Sequence, residues 1–127
     1  MDALKAKKLL KTFTGKNDIR DLFIKKEGLS KNEMEKLWDG YLEFMIIKSL
    51  GGDIGLNKQM KYSTTLKMDE LWHCHILCTE NYKALMELMT DKVNPLVDFI
   101  HHSLELSFSS EEEKKKRLQN TAEAYRY

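Results

Sequence analysis

The chain has 127 residues, of which 42% are hydrophobic and 32% are charged, and its formal net charge is +1. This length and apolar content suit one domain with one core, and they exclude both a disordered chain and a second independent core. Because acidic and basic residues nearly cancel, the composition argues against a dedicated nucleic-acid or membrane-surface binder. We predict a single helical domain over residues 1–127.

The first part of the chain shows strong helix signals. A basic amphipathic helix is expected from about Asp2 to Phe13, with its lysines off the apolar stripe. A short second helix is expected over Asp18 to Glu27, followed by Gly28, which can take the left-handed C-terminal cap.

The third helix is expected to begin at a capping box and to end at two glycines. Ser30 and Glu33 have the Ser-x-x-Glu spacing of such a box, and Gly51-Gly52 would end the helix. Residues 51–65 are too polar and glycine-rich to continue it, and we expect a loop there.

A long fourth helix is expected from about Lys67 to Thr90. Its core-facing stripe has spacings of four and three residues and comprises Leu71, His75, Cys78, Tyr82, Leu85 and Met89. Pro95 suits the first position of a fifth helix. The stripe of that helix would comprise Val97, His101, Leu104 and Phe108. A last helix would follow Ser110 and present Leu118, Ala122 and Tyr125, which completes an all-α, compact bundle of about five to six helices.

Cysteine usage and apolar runs indicate the compartment. Cys74 and Cys78 are four residues apart, so a disulfide would close too short a loop to stabilise the fold, and we expect reduced thiols. The chain opens with no apolar run of the signal-peptide type, and no stretch approaches the roughly 20 apolar residues of a membrane span. We therefore expect an intracellular, cytoplasmic protein with no membrane partner.

The four histidines fall into two close pairs, which points to a metal site. Neutral imidazole is the commonest protein ligand for zinc, copper, nickel and iron. The candidate ligands are His73, His75, His101 and His102. Zinc is the metal we expect first.

The spacing of the first pair leaves two interpretations open. On one helix, His73 and His75 are rotated by about 200° and point nearly opposite ways. Either the helix begins after His73, so that both chelate from extended backbone, or the two histidines have different roles. Asp69 precedes His73 by four residues and Asp98 precedes His102 by four, so each carboxylate could orient an imidazole ring.

The run from Met68 to Tyr82, MDELWHCHILCTENY, resembles the signature of the glycine-rich domain-containing (GRDP-like) protein family. The matching positions are Trp72, His73, His75, Thr79 and Tyr82, followed by the pair His101-His102. The resemblance covers about residues 41–102. Two positions depart from it, because a family cysteine falls on Met86 and a family proline on Leu104.

This resemblance implies a helical domain with a shared histidine-centred site, and it implies no reaction. We expect six side chains to converge on one site: Asp69, His73, His75, Tyr82, His101 and His102. Trp72, Thr79 and Asp98 would support it.

The leading hypothesis for function is a metal- or small-ligand-binding module. Protease, hydrolase and phosphate-loop motifs are absent, and neither cysteine has an orienting third residue, which favours a non-catalytic role. If the protein is an enzyme, metal-dependent hydrolysis or oxidation is the expected class. The alternative is a protein–protein interaction module with a structural His/Tyr/Asp hydrogen-bond network. RNA binding through Lys7 and Lys8 is a third, weaker hypothesis.

Overall fold

The computed structural model of the protein describes residues 3–53, 62–102 and 110–124, without the side chains of Ala3 and Leu9. Within these ranges there is no strand, and the helices are α1 (Ala3–Leu10), α2 (Lys16–Glu27), α3 (Lys31–Gly51), α4 (Leu66–Leu77), α5 (Thr79–Lys92) and α6 (Glu111–Ala124). The predicted all-α bundle is confirmed. None of these helices is long and apolar enough to cross a membrane. Leu104, Phe108 and Tyr125, which we assigned to helix faces, lie outside the described residues.

Local capping sets the boundary between α2 and α3 as predicted. Gly28 has φ 67°, a left-handed conformation that a side chain would disfavour, and its N–H donates to the Ile24 carbonyl at 2.8 Å. Ser30 Oγ accepts from the Glu33 N–H at 3.1 Å, and Glu33 Oε1 accepts from the Ser30 N–H at 3.2 Å. The capping box therefore satisfies two N–H groups at the start of α3.

Helix α3 lies at the centre of the bundle. It packs against α1, α2, α4 and α6. Of the nine residues from Tyr41 to Ser49, only Glu43 is not fully buried. A helix that is apolar on nearly every side must be covered on nearly every side, and the neighbouring helices supply that cover.

The predicted continuous helix from Lys67 to Thr90 is wrong. The chain leaves helical geometry at Cys78, with φ −87° and ψ 69°, so that α4 and α5 are separate helices. No proline or glycine marks the break. The predicted stripe nevertheless remains buried on both sides of it at Leu71, His75, Tyr82, Leu85 and Met89. The change of direction lets α4 pack on α2 and α3 while α5 packs on α1.

The predicted fifth helix from Pro95 is also wrong over the described residues. Positions 93–102 contain turns and irregular backbone and no helix. The side chain of Asn94 accepts from the Leu96 N–H at 3.1 Å, a turn-forming contact that competes with a helix start. Side chains of α5 then hold the segment in a non-helical path.

Three residues on one face of α5 bind this segment, which we call the return segment (residues 93–102). Thr90 Oγ1 donates to the Val97 carbonyl at 2.8 Å, Met86 Sδ accepts from the Ile100 N–H at 3.3 Å, and Tyr82 Oη donates to the Ile100 carbonyl at 2.6 Å. Thr90 contacts Val97 whereas the earlier residues Met86 and Tyr82 contact Ile100, so the return segment runs antiparallel to α5 and leads back toward α4.

Candidate metal centre

Helix α4 and the return segment bring together Asp69, His73 and His102, which we call the His–Asp cluster. Asp69 and His73 are one helical turn apart and share a face of α4. His102 Nε2 lies 2.6 Å from Asp69 Oδ1, and His73 Nδ1 lies 3.8 Å from Asp69 Oδ2. One ligand atom from each of the three residues lies within 4.8 Å of the other two.

Ring packing holds His102 in place. Its ring stacks on that of His73, with centroids 4.2 Å apart and an interplanar angle of 27°, and lies 4.3 Å from the ring of Trp72. Trp72 Nε1 donates in turn to Tyr82 Oη at 3.1 Å. The His102 side chain is 10% exposed and that of His73 is 52% exposed, so the cluster is shielded on one side and open on the other.

The electrostatics favour an anionic carboxylate at the cluster. The hydrogen bond from His102 holds the pKa of Asp69 below its usual range. Partial burial opposes this shift, and the nearby His102 and His73 rings add to it. Asp69 is therefore ionised at neutral pH, which is the form that binds a metal ion.

Two imidazole nitrogens and one carboxylate oxygen form a ligand set typical of zinc and non-haem iron sites with open coordination positions. Bonds of about 2 Å place the ligand atoms of one such ion about 3–4 Å apart. The spacings in the His–Asp cluster bracket this range, so small side-chain rotations suffice to accommodate an ion. The same contacts also describe a network without a metal, in which the Asp69 carboxylate lies beside both stacked histidines.

The cluster lies in the wall of a cavity of about 360 Å³ between α4 and α6. The remaining lining residues are Phe44, Tyr62, Ser63, Thr64, Leu66, Trp72, Lys114, Arg117 and Leu118. Thr121 Oγ1 donates to the Ser63 carbonyl at 2.7 Å and accepts from the Ser63 N–H at 2.9 Å, which docks α6 at this place.

The far wall of the cavity rests on a buried ion pair. Lys48 Nζ lies 3.0 Å from Asp53 Oδ2, and the same oxygen accepts from the Tyr62 N–H at 3.1 Å. The Lys48 ammonium also lies 5.1 Å from the centroid of the Trp72 ring. These contacts join the end of α3 to residues 62–64 and position the aromatic lining.

His75 lies in a different environment from the His–Asp cluster. Asn81 Nδ2 donates to the Gly15 carbonyl at 3.0 Å, which turns Asn81 Oδ1 toward His75 Nε2 at 2.8 Å. Nε2 therefore carries the proton, and Nδ1 accepts from the Tyr41 hydroxyl at 2.7 Å. Both ring nitrogens are used, and burial lowers the pKa of His75 to about 4.

This buried network, formed by Tyr41, His75, Asn81 and the Gly15 carbonyl, ties α3, α4 and α5 to the start of α2. A Cβ atom at Gly15 would lie 2.6 Å from Asn81 Nδ2, so the close approach requires glycine there. Tyr41 and His75 are fully buried. The network therefore stabilises the packing of these helices.

The prediction that six side chains converge on one site is wrong in this structure. His73 and His75 both lie on α4, so the second interpretation of their spacing holds, and they point to opposite sides. His101 is exposed and packs its ring on Phe99 at 4.7 Å. His101 and His102 separate because successive residues of non-helical backbone face different ways.

The residues predicted to support the site also fall into two groups, those that position a residue of the His–Asp cluster and those that do not. Trp72 and Tyr82 position His102, whereas Thr79 and Asp98 are exposed and contribute nothing to the His–Asp cluster. The carboxylate beside His102 is that of Asp69, because the helix that would have paired Asp98 with His102 does not form. Cys74 and Cys78 are free thiols, as expected, and burial raises the pKa of Cys74.

Several site residues had no signal in the sequence. Asn81 lies within the run that resembles the family signature, yet nothing in its spacing from His75 indicates a contact across a helix break. Tyr41 fits an ordinary apolar stripe. Lys114 and Arg117 belong to a charge run that is typical of a solvated helix surface.

Comparison of this chain with protein-family models, with curated proteins and with solved structures gives no match. The resemblance to the GRDP-like family therefore stays a prediction. The function is therefore inferred from the geometry of the site.

Proposed function

We propose that the protein is a metal-binding module that holds one divalent transition-metal ion, with zinc expected first, through Asp69, His73 and His102. The observation that carries the proposal is the approach of three ligand atoms to within 4.8 Å of one another. An ionised carboxylate and a shielded imidazole with fixed ring packing support it.

Asp69, His73 and His102 would hold the ion, and three protein ligands would leave it able to take a further ligand. A metal bound there would supply Lewis-acid chemistry. We assign the protein a binding role in the cytoplasm. If it also catalyses a reaction, hydrolysis is the class we expect. Trp72, His73 and His102 are all part of the GRDP-like pattern, so a histidine-centred site shared with that family belongs to this proposal.

The test is the metal content of the tag-free protein, purified and then incubated with zinc and desalted. We expect near-stoichiometric zinc by elemental analysis in the wild type, and its loss in His102→Ala and His73→Ala. His101→Ala is the matched control, because it removes the neighbouring histidine outside the cluster. Far-UV circular dichroism should show the same helix content in all four proteins.

A wild type that takes up no zinc or iron would overturn the proposal, as would zinc retained by His102→Ala. In that outcome the His–Asp cluster is an ion pair that packs the return segment on α4. The buried network around His75 would then match the interaction-module hypothesis, and the search would turn to protein partners.

A further inference from the structure

The cavity between α4 and α6 has one wall that is held in place by contacts with other parts of the fold. The Tyr62 ring packs closely on α3 at Gly51, where a Cβ atom would lie 2.7 Å from the Tyr62 hydroxyl oxygen. Asp53 accepts from the Tyr62 N–H at 3.1 Å, and the Thr121 hydroxyl pairs with both backbone groups of Ser63. A wall that is already positioned lowers the ordering cost of binding a ligand.

Aromatic and aliphatic side chains give the cavity an apolar surface. The rings of Phe44 and Trp72 meet edge to face with centroids 5.8 Å apart, and Tyr62 lines the cavity with them. Leu66 and Leu118 also line it and are exposed, although they are large apolar side chains. The volume of about 360 Å³ lies within the range of small-molecule sites. An apolar ligand would remove this surface from water.

The charged groups of the lining carry both signs. Asp69 lies in the wall together with Lys114 and Arg117. Asp69 pairs with His102, Lys114 pairs with Glu111, and the buried Arg117 also has a partner within the protein. An ion of either sign would meet a like charge in the cavity, and it would lose its hydration without gaining an unpaired counter-charge among the described lining residues. The lining therefore favours a neutral ligand.

One polar group of the lining has no hydrogen-bond partner. Thr64 Oγ1 is buried and unpaired within the described parts of the chain, whereas the hydroxyl of the next residue, Thr65, accepts from the Met68 N–H at 3.3 Å. A buried hydroxyl without a partner is costly. Because Thr64 lines the cavity, an acceptor oxygen on a ligand would supply the missing partner.

We infer that this cavity binds a compact neutral aromatic molecule, with its ring against Tyr62 and Trp72 and one carbonyl oxygen at the Thr64 hydroxyl. The inference goes beyond the proposed metal site and does not depend on it, because none of these contacts involves an ion.

The probe is acetophenone, titrated into metal-free protein and followed by NMR chemical shifts, with benzoate as a charged control ligand of similar size. We expect saturable binding of acetophenone and at least about tenfold weaker binding of benzoate, because a buried charge loses its hydration. Thr64→Val keeps the shape of the side chain and removes the hydroxyl. It should weaken acetophenone binding about three- to tenfold and leave the binding of ethylbenzene, which has no oxygen, unchanged.

A second variant tests the cavity itself. Leu118 is 49% exposed, so the fold should tolerate Leu118→Trp. The larger side chain should weaken the binding of acetophenone at least about tenfold, because it occupies space that the ligand needs. Leu22→Trp is the matched control, since Leu22 is 46% exposed on α2 and lies outside this cavity.

The inference is overturned if acetophenone does not bind up to its solubility limit, or if benzoate binds as tightly. It is also overturned if Thr64→Val or Leu118→Trp binds acetophenone as well as the wild type does. Zinc uptake by a protein that binds no acetophenone would overturn this inference and keep the metal proposal. Acetophenone binding by a protein that takes up no zinc would do the reverse.

Discussion

Hydrogen-bond partners and burial give His73 and His75 different chemistry, although only one residue separates them in the chain. His73 is half exposed and reaches the Asp69 carboxylate, whereas His75 is fully buried between Tyr41 and Asn81. Burial without a charged partner disfavours the imidazolium form. One histidine is therefore available for a metal, and the other stays neutral as part of the fold.

The low pKa of His75 predicts a loss of stability in mild acid. Its pKa is about 4 in the folded protein and about 6.5 in the unfolded chain, so the unfolded state binds a proton first as the pH falls. The stabilisation is complete above pH 6.5 and is lost progressively toward pH 4. We expect the free energy of unfolding in metal-free protein to fall by about 2 kcal/mol between pH 8 and pH 5. Urea unfolding at a series of pH values measures this.

The groups around His75 do not compensate for this loss. Tyr41 and Tyr82 face it from α3 and α5, and burial raises the pKa of both hydroxyls, so they stay neutral over this range. His101→Ala is the control and should keep the same pH dependence. An imidazole titration by NMR that shows all four histidines protonated at pH 5.5 would contradict the assignment.

At the scale of elements, the face of α5 decides where His102 lies. Tyr82, Met86 and Thr90 each bind the return segment through a polar contact. These contacts replace the helical hydrogen bonds that a proline start would otherwise favour. The position of His102 beside α4 therefore depends on side chains of α5.

Tyr82→Phe tests this dependence. The change keeps the ring and removes the hydroxyl that donates to the buried Ile100 carbonyl and accepts from Trp72 Nε1. We expect a loss of about 1–3 kcal/mol in unfolding free energy, because a buried polar group is left unpaired. Hydrogen exchange should quicken over residues 97–102, and zinc affinity should fall. The control is Lys83→Ala at the exposed neighbouring position, which should leave the unfolding free energy, the hydrogen exchange and the zinc affinity unchanged. Unchanged zinc affinity in Tyr82→Phe would show that other contacts position the return segment.

At the scale of the whole molecule, the His–Asp cluster and the cavity join parts of the chain that are distant in sequence. Asp69 and His102 are 33 residues apart, and Ser63 and Thr121 are 58 residues apart. A ligand that holds such parts together binds the folded chain and has no equivalent site in the unfolded chain. Its binding free energy therefore adds to the stability of the fold.

Zinc should consequently raise the melting temperature. At a free zinc concentration of 100 times Kd the stabilisation is about 2.7 kcal/mol, which corresponds to roughly 10 °C for a chain of this size. Calorimetry with and without zinc measures the shift, and a chelator should reverse it. Zinc should raise the melting temperature of His101→Ala as much as that of the wild type, and it should not raise that of His102→Ala. An equal shift in His102→Ala would place the zinc elsewhere.

The sequence by itself determined the parts of this protein that depend on near neighbours. The α2 cap at Gly28 and the capping box at Ser30 both follow from interactions within about one helical turn. The buried stripe from Leu71 to Met89 follows from the helical period. These features could be predicted because the groups that cause them are adjacent in the chain.

Only the tertiary structure decided the composition of the candidate site. The break at Cys78 and the irregular return segment replace predicted helices. The break has no local signal, and the turn at Asn94 accounts only for the start of the return segment. Their physical reason is the satisfaction of buried polar groups by distant partners, as when Tyr82 binds the Ile100 carbonyl 18 residues away. Helix packing also places His102 beside Asp69 and brings Lys114 and Arg117 into the lining of the cavity. No spacing pattern in the sequence predicts these contacts.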